Sequence, residues 1–260
     1  MEFASKFASK YASRPRGRRV AFFGGSFDPP HLGHLAVARA ARAALALDTV
    51  LFAPVGAQPL KPQGSTAGFG DRVAMTGLAI ADDTGFEVSL ADAPKAEGQP
   101  NYTIETLESL RAGLPRDGAL FCLMGADSFF GLKRWHRAAE IPFVAPLIIA
   151  SRPGQRPEDW IEGLRAALPE GLAIEATPAW GEGRADVELC TYALHNSGGD
   201  TAPFYLLPGL NVEISASDIR GAIRDQVKEQ LAAQPVEMAS GAKLLPDAVL
   251  DYILSHGLYK

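Results

Sequence analysis

Short apolar runs, separated by longer segments of helical periodicity, fill most of this 260-residue chain. The runs lie at 20–23, 50–53, 86–90, 119–124 and 144–150. The helical segments lie at 35–46, 72–81 and 103–112, with a shorter one around 138–140. Strands this short and this uniformly apolar are covered on both faces, which predicts an α/β fold with an open parallel sheet between two layers of helices. Such sheets cross over right-handedly and bind ligands at the carboxyl ends of their strands.

The pattern weakens between 152 and 211, where Pro153, Gly154, Pro157, Pro169, Gly171, Pro178, Gly198, Gly199 and Pro208 interrupt it. One helix over 158–167 and short strands near 172–175 and 204–207 survive. The polar, glycine-rich stretch 180–201 reads as an inserted surface loop. Periodicity returns after 212 with two helices, one beginning near Ser215 and one over 246–255. Pro246 suits a first helical turn and Gly257 a C-terminal stop. The expected organisation is a basic tail over 1–18, a main domain over 19–212, and a small helical part over 213–260 that completes the same domain.

Composition changes this picture little. Hydrophobic residues make up 47 % of the chain and charged residues 21 %, as in ordinary globular domains. A net charge of −5 argues against a surface built to bind nucleic acid. No apolar run is long enough to cross a membrane. Cys122 and Cys190 are too few for a disulfide framework and lack metal-ligand spacing, so a reduced, cytoplasmic protein is expected. Cys122 lies within an apolar run and reads as a core thiol. The first nineteen residues carry Lys6, Lys10, Arg14, Arg16, Arg18 and Arg19 against one acid, Glu2, with no apolar centre that would make a secretory signal.

The chemistry concentrates in Gly24-Gly25-Ser26-Phe27-Asp28-Pro29-Pro30-His31-Leu32-Gly33-His34. This stretch joins the first strand to the first helix, where unpaired backbone N–H groups favour an anion. His31 and His34 are three apart, so on a helix they share a face. Imidazoles there donate hydrogen bonds to phosphate oxygens, and either can be charged near neutral pH. A second constellation, Ile214-Ser215-Ala216-Ser217-Asp218-Ile219-Arg220, reads on its own as a capped helix start. Paired with the first, its hydroxyls and guanidinium form the other half of a phosphate clamp. The chain has no Gly-x-x-x-x-Gly-Lys-[Ser/Thr] loop, no Gly-x-Gly-x-x-Gly after the first strand and no Gly-x-Ser-x-Gly elbow.

Segments 24–34 and 214–220 resemble the two signatures of the Rossmann-like nucleotidyltransferase superfamily. Within it the chain is most similar to the bacterial nicotinate-nucleotide adenylyltransferases, on the segments 54–62, 69–80, Asn101–Leu107, Gly125-Ala126-Asp127-Ser128, Trp135 and 252–259. That resemblance implies transfer of an adenylyl group from ATP to nicotinate mononucleotide, giving deamido-NAD and pyrophosphate. It implies that His31, His34 and Arg220 act on the reacting phosphates. Gly24, Gly25, Ser26, Ser215 and Ser217 would hold the triphosphate, and Gly125 and Asp127 the adenosine. Thr103 and Trp135 would form the nicotinate pocket, with Lys61 near the phosphates. No protein metal site is expected; Mg²⁺ would be held by ATP and water. Where the family often has Pro-Pro-His-Lys this chain has Gln58-Pro59-Leu60-Lys61, so Leu60 replaces an imidazole. His136, His195 and His256 read as structural or solvated. Alternatives are a sister enzyme using nicotinamide mononucleotide or phosphopantetheine, or an inactive nucleotide-binding regulatory domain. The oligomeric state stays open, a homodimer included.

Overall fold

A computed structural model describes residues 17–61, 63–151, 157–175, 179–182, 188–207, 215–231 and 244–260. Residues 1–16, which carry most of the basic segment, lie outside these. So do Ile214 and the expected domain junction at 212. Arg18 and Arg19 are described. Arg18 donates to the side chains of Thr49 and Glu87, while buried Arg19 donates to the Leu45 carbonyl and lies over the Phe121 ring.

Among the described residues nine strands form one sheet: β1 (Arg19–Gly25), β2 (Thr49–Pro54), β3 (Phe86–Val88), β4 (Ala119–Gly125), β5 (Leu147–Ala150), β6 (Leu172–Ile174), β7 (Ala179–Glu182), β8 (Glu188–Asn196) and β9 (Thr201–Leu207). Their order is β3-β2-β1-β4-β5-β9-β8-β6, with β7 also paired to β8. The first six in this order are parallel, while β8 runs antiparallel to β9, β6 and β7. The expected open parallel sheet therefore carries an antiparallel extension at one edge.

Stretch 180–201 is the main correction. It is not a loop: its described residues build β8, most of β7 and the start of β9. Averaging its glycines with its polar residues masks the alternation along β8, where Leu189 joins one core and Cys190, Tyr192 and Leu194 join the other. The segment around 138–140 is likewise a turn. The helix begins at Ile141, where Pro142 presets the first turn, and β5 starts only at Leu147.

The helices are α1 (Leu32–Leu45), α2 (Phe69–Ala79), α3 (Thr103–Gly113), α4 (Ala126–Phe130), α5 (Ile141–Val144), α6 (Pro157–Ala167), α7 (Ala216–Leu231) and α8 (Asp247–His256). They cover both faces, because alternate residues of each strand point opposite ways. Ala21 and Phe23 of β1 pack with α1, α2, α7 and α8, whereas Val20 and Phe22 pack with α3, α4 and α6. On α1, Leu35, Ala38, Ala41 and Leu45 form the buried stripe. Small alanines let that helix approach the sheet closely.

Chain order reverses at β1. The first crossovers step outward to β2 and β3, and the next places β4 on the other side of β1. The carboxyl ends of β1 and β4 thus open a crevice at a topological switch point, the place where such sheets bind ligands.

Candidate active site

The turn after β1 is tightly packed. A Cβ on Gly24 would sit 2.7 Å from the Phe22 ring, and one on Gly25 would sit 3.3 Å from Phe27. Phe27 itself takes a left-handed backbone (φ 45°), uncommon for a bulky side chain. Its ring, 1 % exposed, meets His34 edge-on at 4.9 Å and Phe23 at 5.5 Å. This packing holds both histidines against the turn.

Asp28, which the sequence reading passed over, ties the turn to three other segments. Its carboxylate accepts from the N–H groups of Thr66 (2.6 Å) and Ala67 (3.0 Å) and from the Tyr259 hydroxyl (2.8 Å). Its main-chain carbonyl accepts from Arg220 at 2.6 Å. Buried Arg72 donates to the carbonyls of Ser26 (2.7 Å) and Val55 (2.8 Å), fastening the ends of β1 and β2. Burial lowers the Arg72 pKa, against the opposing attraction of Asp28.

His31 and His34 stack, with ring centroids 3.7 Å apart. The main-chain N–H of His31 donates to Nδ1 of His34 at 3.1 Å. That nitrogen must then be an acceptor, so the neutral ring carries its proton on Nε2. Among the described residues, Nδ1 of His31 is buried and without a hydrogen-bond partner. Burial pulls His31 down to about 4, and burial followed by the neighbouring His31 pulls His34 well below its ordinary value. Both imidazoles are therefore neutral donors at pH 7, which corrects the expectation that either could be charged there.

One cleft of about 1110 Å³ gathers every residue the sequence reading assigned to catalysis or substrate binding. Gly24, Gly25, Ser26, His31 and His34 line one wall. Ser215, Ser217 and Arg220, at the start of α7, line the cleft too, and Arg220 also donates to the Ser217 hydroxyl at 3.2 Å. Lys61 donates to the Ser26 hydroxyl at 3.2 Å, and Gln58 does the same at 3.1 Å. Leu60 also lines the cleft and is 46 % exposed. Gly125 and Asp127 line the cleft where β4 meets α4. Gly125 has open space where a Cβ would stand.

Thr103 and Trp135 line the same space, and Trp135 also packs against the second core. Asn101 and Tyr102 join them. The Asn101 carboxamide accepts from the Ala57 N–H (2.9 Å) and donates to the Ala93 carbonyl (2.9 Å), holding this wall in place. His136, read above as structural or solvated, lines the cleft too, its ring 4.4 Å from Tyr102. His195 and His256 stay outside it, beside Thr201 and Tyr252. Cys122 is a buried thiol, pushed up to about 12 by burial. The adjacency Asn101-Tyr102-Thr103 was the signal for the first two missed residues; nothing in the sequence distinguishes Asp28 from a turn-forming aspartate.

A family model described as cytidylyltransferase-like matches residues 22–222, which contain both segments 24–34 and 214–220. A protein of Gloeobacter violaceus named "probable nicotinate-nucleotide adenylyltransferase" is 35 % identical over 94 % of this chain and 97 % of its own. The chain belongs to the nicotinate-nucleotide adenylyltransferase family. A Stenotrophomonas maltophilia relative of the same name is 34 % identical over 92 % of this chain and 96 % of its own. Among solved structures, Plasmodium falciparum nicotinic acid mononucleotide adenylyltransferase complexed with NaAD aligns with a TM-score of 0.60. It covers 93 % of this chain and 97 % of its own at 15 % identity, a likeness of fold. Family membership and the Rossmann-like sheet agree with the switch-point cleft.

Proposed function

We propose that the protein transfers the adenylyl group of ATP to nicotinate mononucleotide, releasing pyrophosphate and forming deamido-NAD. The observation that carries this is that segment 24–34, Ser215, Ser217 and Arg220, Gly125 and Asp127, and Thr103 with Trp135 all contribute to one cleft. At about 1110 Å³ it exceeds the ~300–1,000 Å³ of ordinary single-ligand pockets and has room for two nucleotides.

The acceptor brings its own nucleophile, an anionic phosphate oxygen, so no general base is needed. That oxygen attacks the α-phosphorus of ATP, and the bond to the bridging oxygen of pyrophosphate breaks. The protein's work is positioning and charge stabilisation. The Nε2–H of His34 and the ring of His31 donate to phosphate oxygens. Arg220, Ser215 and Ser217 close on the triphosphate from the α7 side, with Lys61 as a mobile point charge. Gly125 leaves room for the adenosine and Asp127 accepts from ribose hydroxyls. The Trp135 indole stacks on the pyridine ring.

Nucleotidyltransferases of this kind generally use a divalent metal, Mg²⁺ in this reading. Among the described residues no cluster of three or more His, Cys, Asp or Glu could hold one. The donors at the phosphate wall are imidazoles, hydroxyls and cations, which suit a metal carried in on the triphosphate oxygens. Bound there, it would neutralise charge on the departing pyrophosphate.

A pyrophosphate-release assay with ATP tests this. Turnover with nicotinate mononucleotide, well above that with nicotinamide mononucleotide or phosphopantetheine, is expected. ATP binding with no turnover on any acceptor would instead indicate a regulatory domain.

A further inference from the structure

The last residues of the chain reach the phosphate wall. Tyr259 is 7 % exposed, and its backbone sits in the left-handed region (φ 64°), just after Gly257 turns the chain at the end of α8. A bulky residue stays in that conformation only where its surroundings hold it. Its hydroxyl donates to Oδ1 of Asp28 at 2.8 Å, across 231 residues of sequence. The same aspartate offers its carbonyl to Nη1 of Arg220 at 2.6 Å, across 192 residues. Three segments distant in sequence therefore meet at one residue.

We propose that Tyr259 is a positioning residue for adenylyl transfer, acting through Asp28 to set the Arg220 guanidinium against the triphosphate. The inference rests on the function proposed above only for Arg220's place at the phosphates. Arg220 gains orientation from two fixed acceptors, the Asp28 carbonyl and the Ser217 hydroxyl at 3.2 Å. The Asp28 carbonyl can serve as a fixed point only if Asp28 itself does not rotate. The backbone amides of Thr66 and Ala67 hold Oδ2 and Oδ1 of its carboxylate, and the Tyr259 hydroxyl adds a second bond to Oδ1. Removing that hydroxyl leaves Oδ1 with the Ala67 amide alone and loosens the residue whose carbonyl Arg220 uses. A planar, fork-shaped donor such as Arg is more sensitive to this than a lysine would be.

The C-terminal helix supplies an internal control. Tyr252 makes a similar hydroxyl–carboxylate contact, to Asp71 at 3.0 Å, but neither partner lines the cleft. The test compares Tyr259→Phe, Tyr252→Phe, Arg220→Ala and the Tyr259→Phe/Arg220→Ala double variant. Readouts are kcat, the KM of each substrate, melting temperature and the Kd of a non-hydrolysable ATP analogue. Y259F is expected to lower kcat and weaken the analogue about tenfold, a loss typical of a misplaced binding group, with the acceptor KM unchanged. Y252F is expected to change melting temperature alone. In the Arg220→Ala background, Tyr259→Phe should cost less than twofold, because the group it positions is gone.

An equal cost in both backgrounds, or no cost in either, overturns the proposal. Analogue binding needs no acceptor, so an absence of turnover with nicotinate mononucleotide leaves this test intact. Should Y259F fail to fold, Asp28→Asn, which keeps an acceptor oxygen and removes the charge, carries the same comparison.

Discussion

The main-chain N–H of His31 donates to Nδ1 of His34, and this one bond of 3.1 Å settles which face of the His34 ring carries a proton. Nε2–H remains as the ring's donor, on a residue that lines the cleft. His34→Ala removes that donor and also the ring that Phe27 packs against at 4.9 Å. Loss of one pre-oriented donor to a developing charge costs about 10²–10³-fold in turnover. We expect kcat to fall by that much while circular dichroism shows an intact fold. Near-normal turnover in a folded variant would remove His34 from the mechanism.

The pH response follows from the same pair. His31 titrates at about 4 in the folded protein against 6.5 for the free side chain, because burial disfavours its charged form. Between those values the unfolded chain binds the proton that the folded site refuses. The stability this contributes is complete above about pH 6.5 and drains away as pH falls toward 4, on the order of 3 kcal/mol in all. His34 is shifted in the same direction and adds to the loss. Melting temperature should therefore drop through pH 6 to 4, and His31→Gln should flatten the drop. A bound triphosphate acts oppositely, favouring the charged rings. Calorimetry of ATP-analogue binding near pH 5.5, in buffers of different ionisation enthalpy, should reveal proton uptake that His31→Gln reduces.

The wall proposed for the phosphates was legible in the sequence because it is local. His31 and His34 are three apart, the glycines adjoin them, and each segment follows a recognisable strand or opens a helix. The parallel half of the sheet was legible for a similar reason: apolar runs such as 119–124 have one reading once helices flank them. What stayed hidden depends on long-range pairing. Asp28 looks like any turn aspartate until Tyr259, Thr66 and Arg220 arrive from elsewhere. The antiparallel edge was hidden because β8's alternation serves two cores and lies among glycines and polar residues. The charge state of the histidines was misjudged because burial by Phe27 and Phe23 is a tertiary property.

Trp135 should govern the acceptor and leave the donor alone. It lines the cleft, as do Thr103, Tyr102 and His136. Stacking an aromatic side chain on a base-like ring is worth about 1–3 kcal/mol by alanine substitution. Trp135→Ala is expected to raise the KM for nicotinate mononucleotide at least tenfold with the ATP KM within twofold, and Trp135→Phe to recover most of the loss. Because Trp135 also packs on the second core, the alanine variant should melt a few degrees lower. Equal effects on both substrates would place the indole elsewhere in the reaction.

Two glycines of the same cleft make opposite predictions. At Gly125 a Cβ meets nothing within 4 Å and the backbone, φ −76°, suits any residue. Alanine there should keep or slightly raise the melting temperature, by the ~0.4–1 kcal/mol that a less flexible unfolded chain contributes. The new methyl would nonetheless stand in the space assigned to adenosine, so the Kd of an ATP analogue should rise several-fold. At Gly24 the added Cβ falls 2.7 Å from the Phe22 ring, a core side chain with little freedom to move. Alanine there must shift the ring or the turn, an overpacking cost of about 1–3 kcal/mol. Gly24→Ala should therefore lower the melting temperature and disturb the histidines together. Thermal melts and analogue titrations on the two variants separate the cases: a Gly125→Ala protein that binds the analogue normally would move the adenosine away from the β4 terminus.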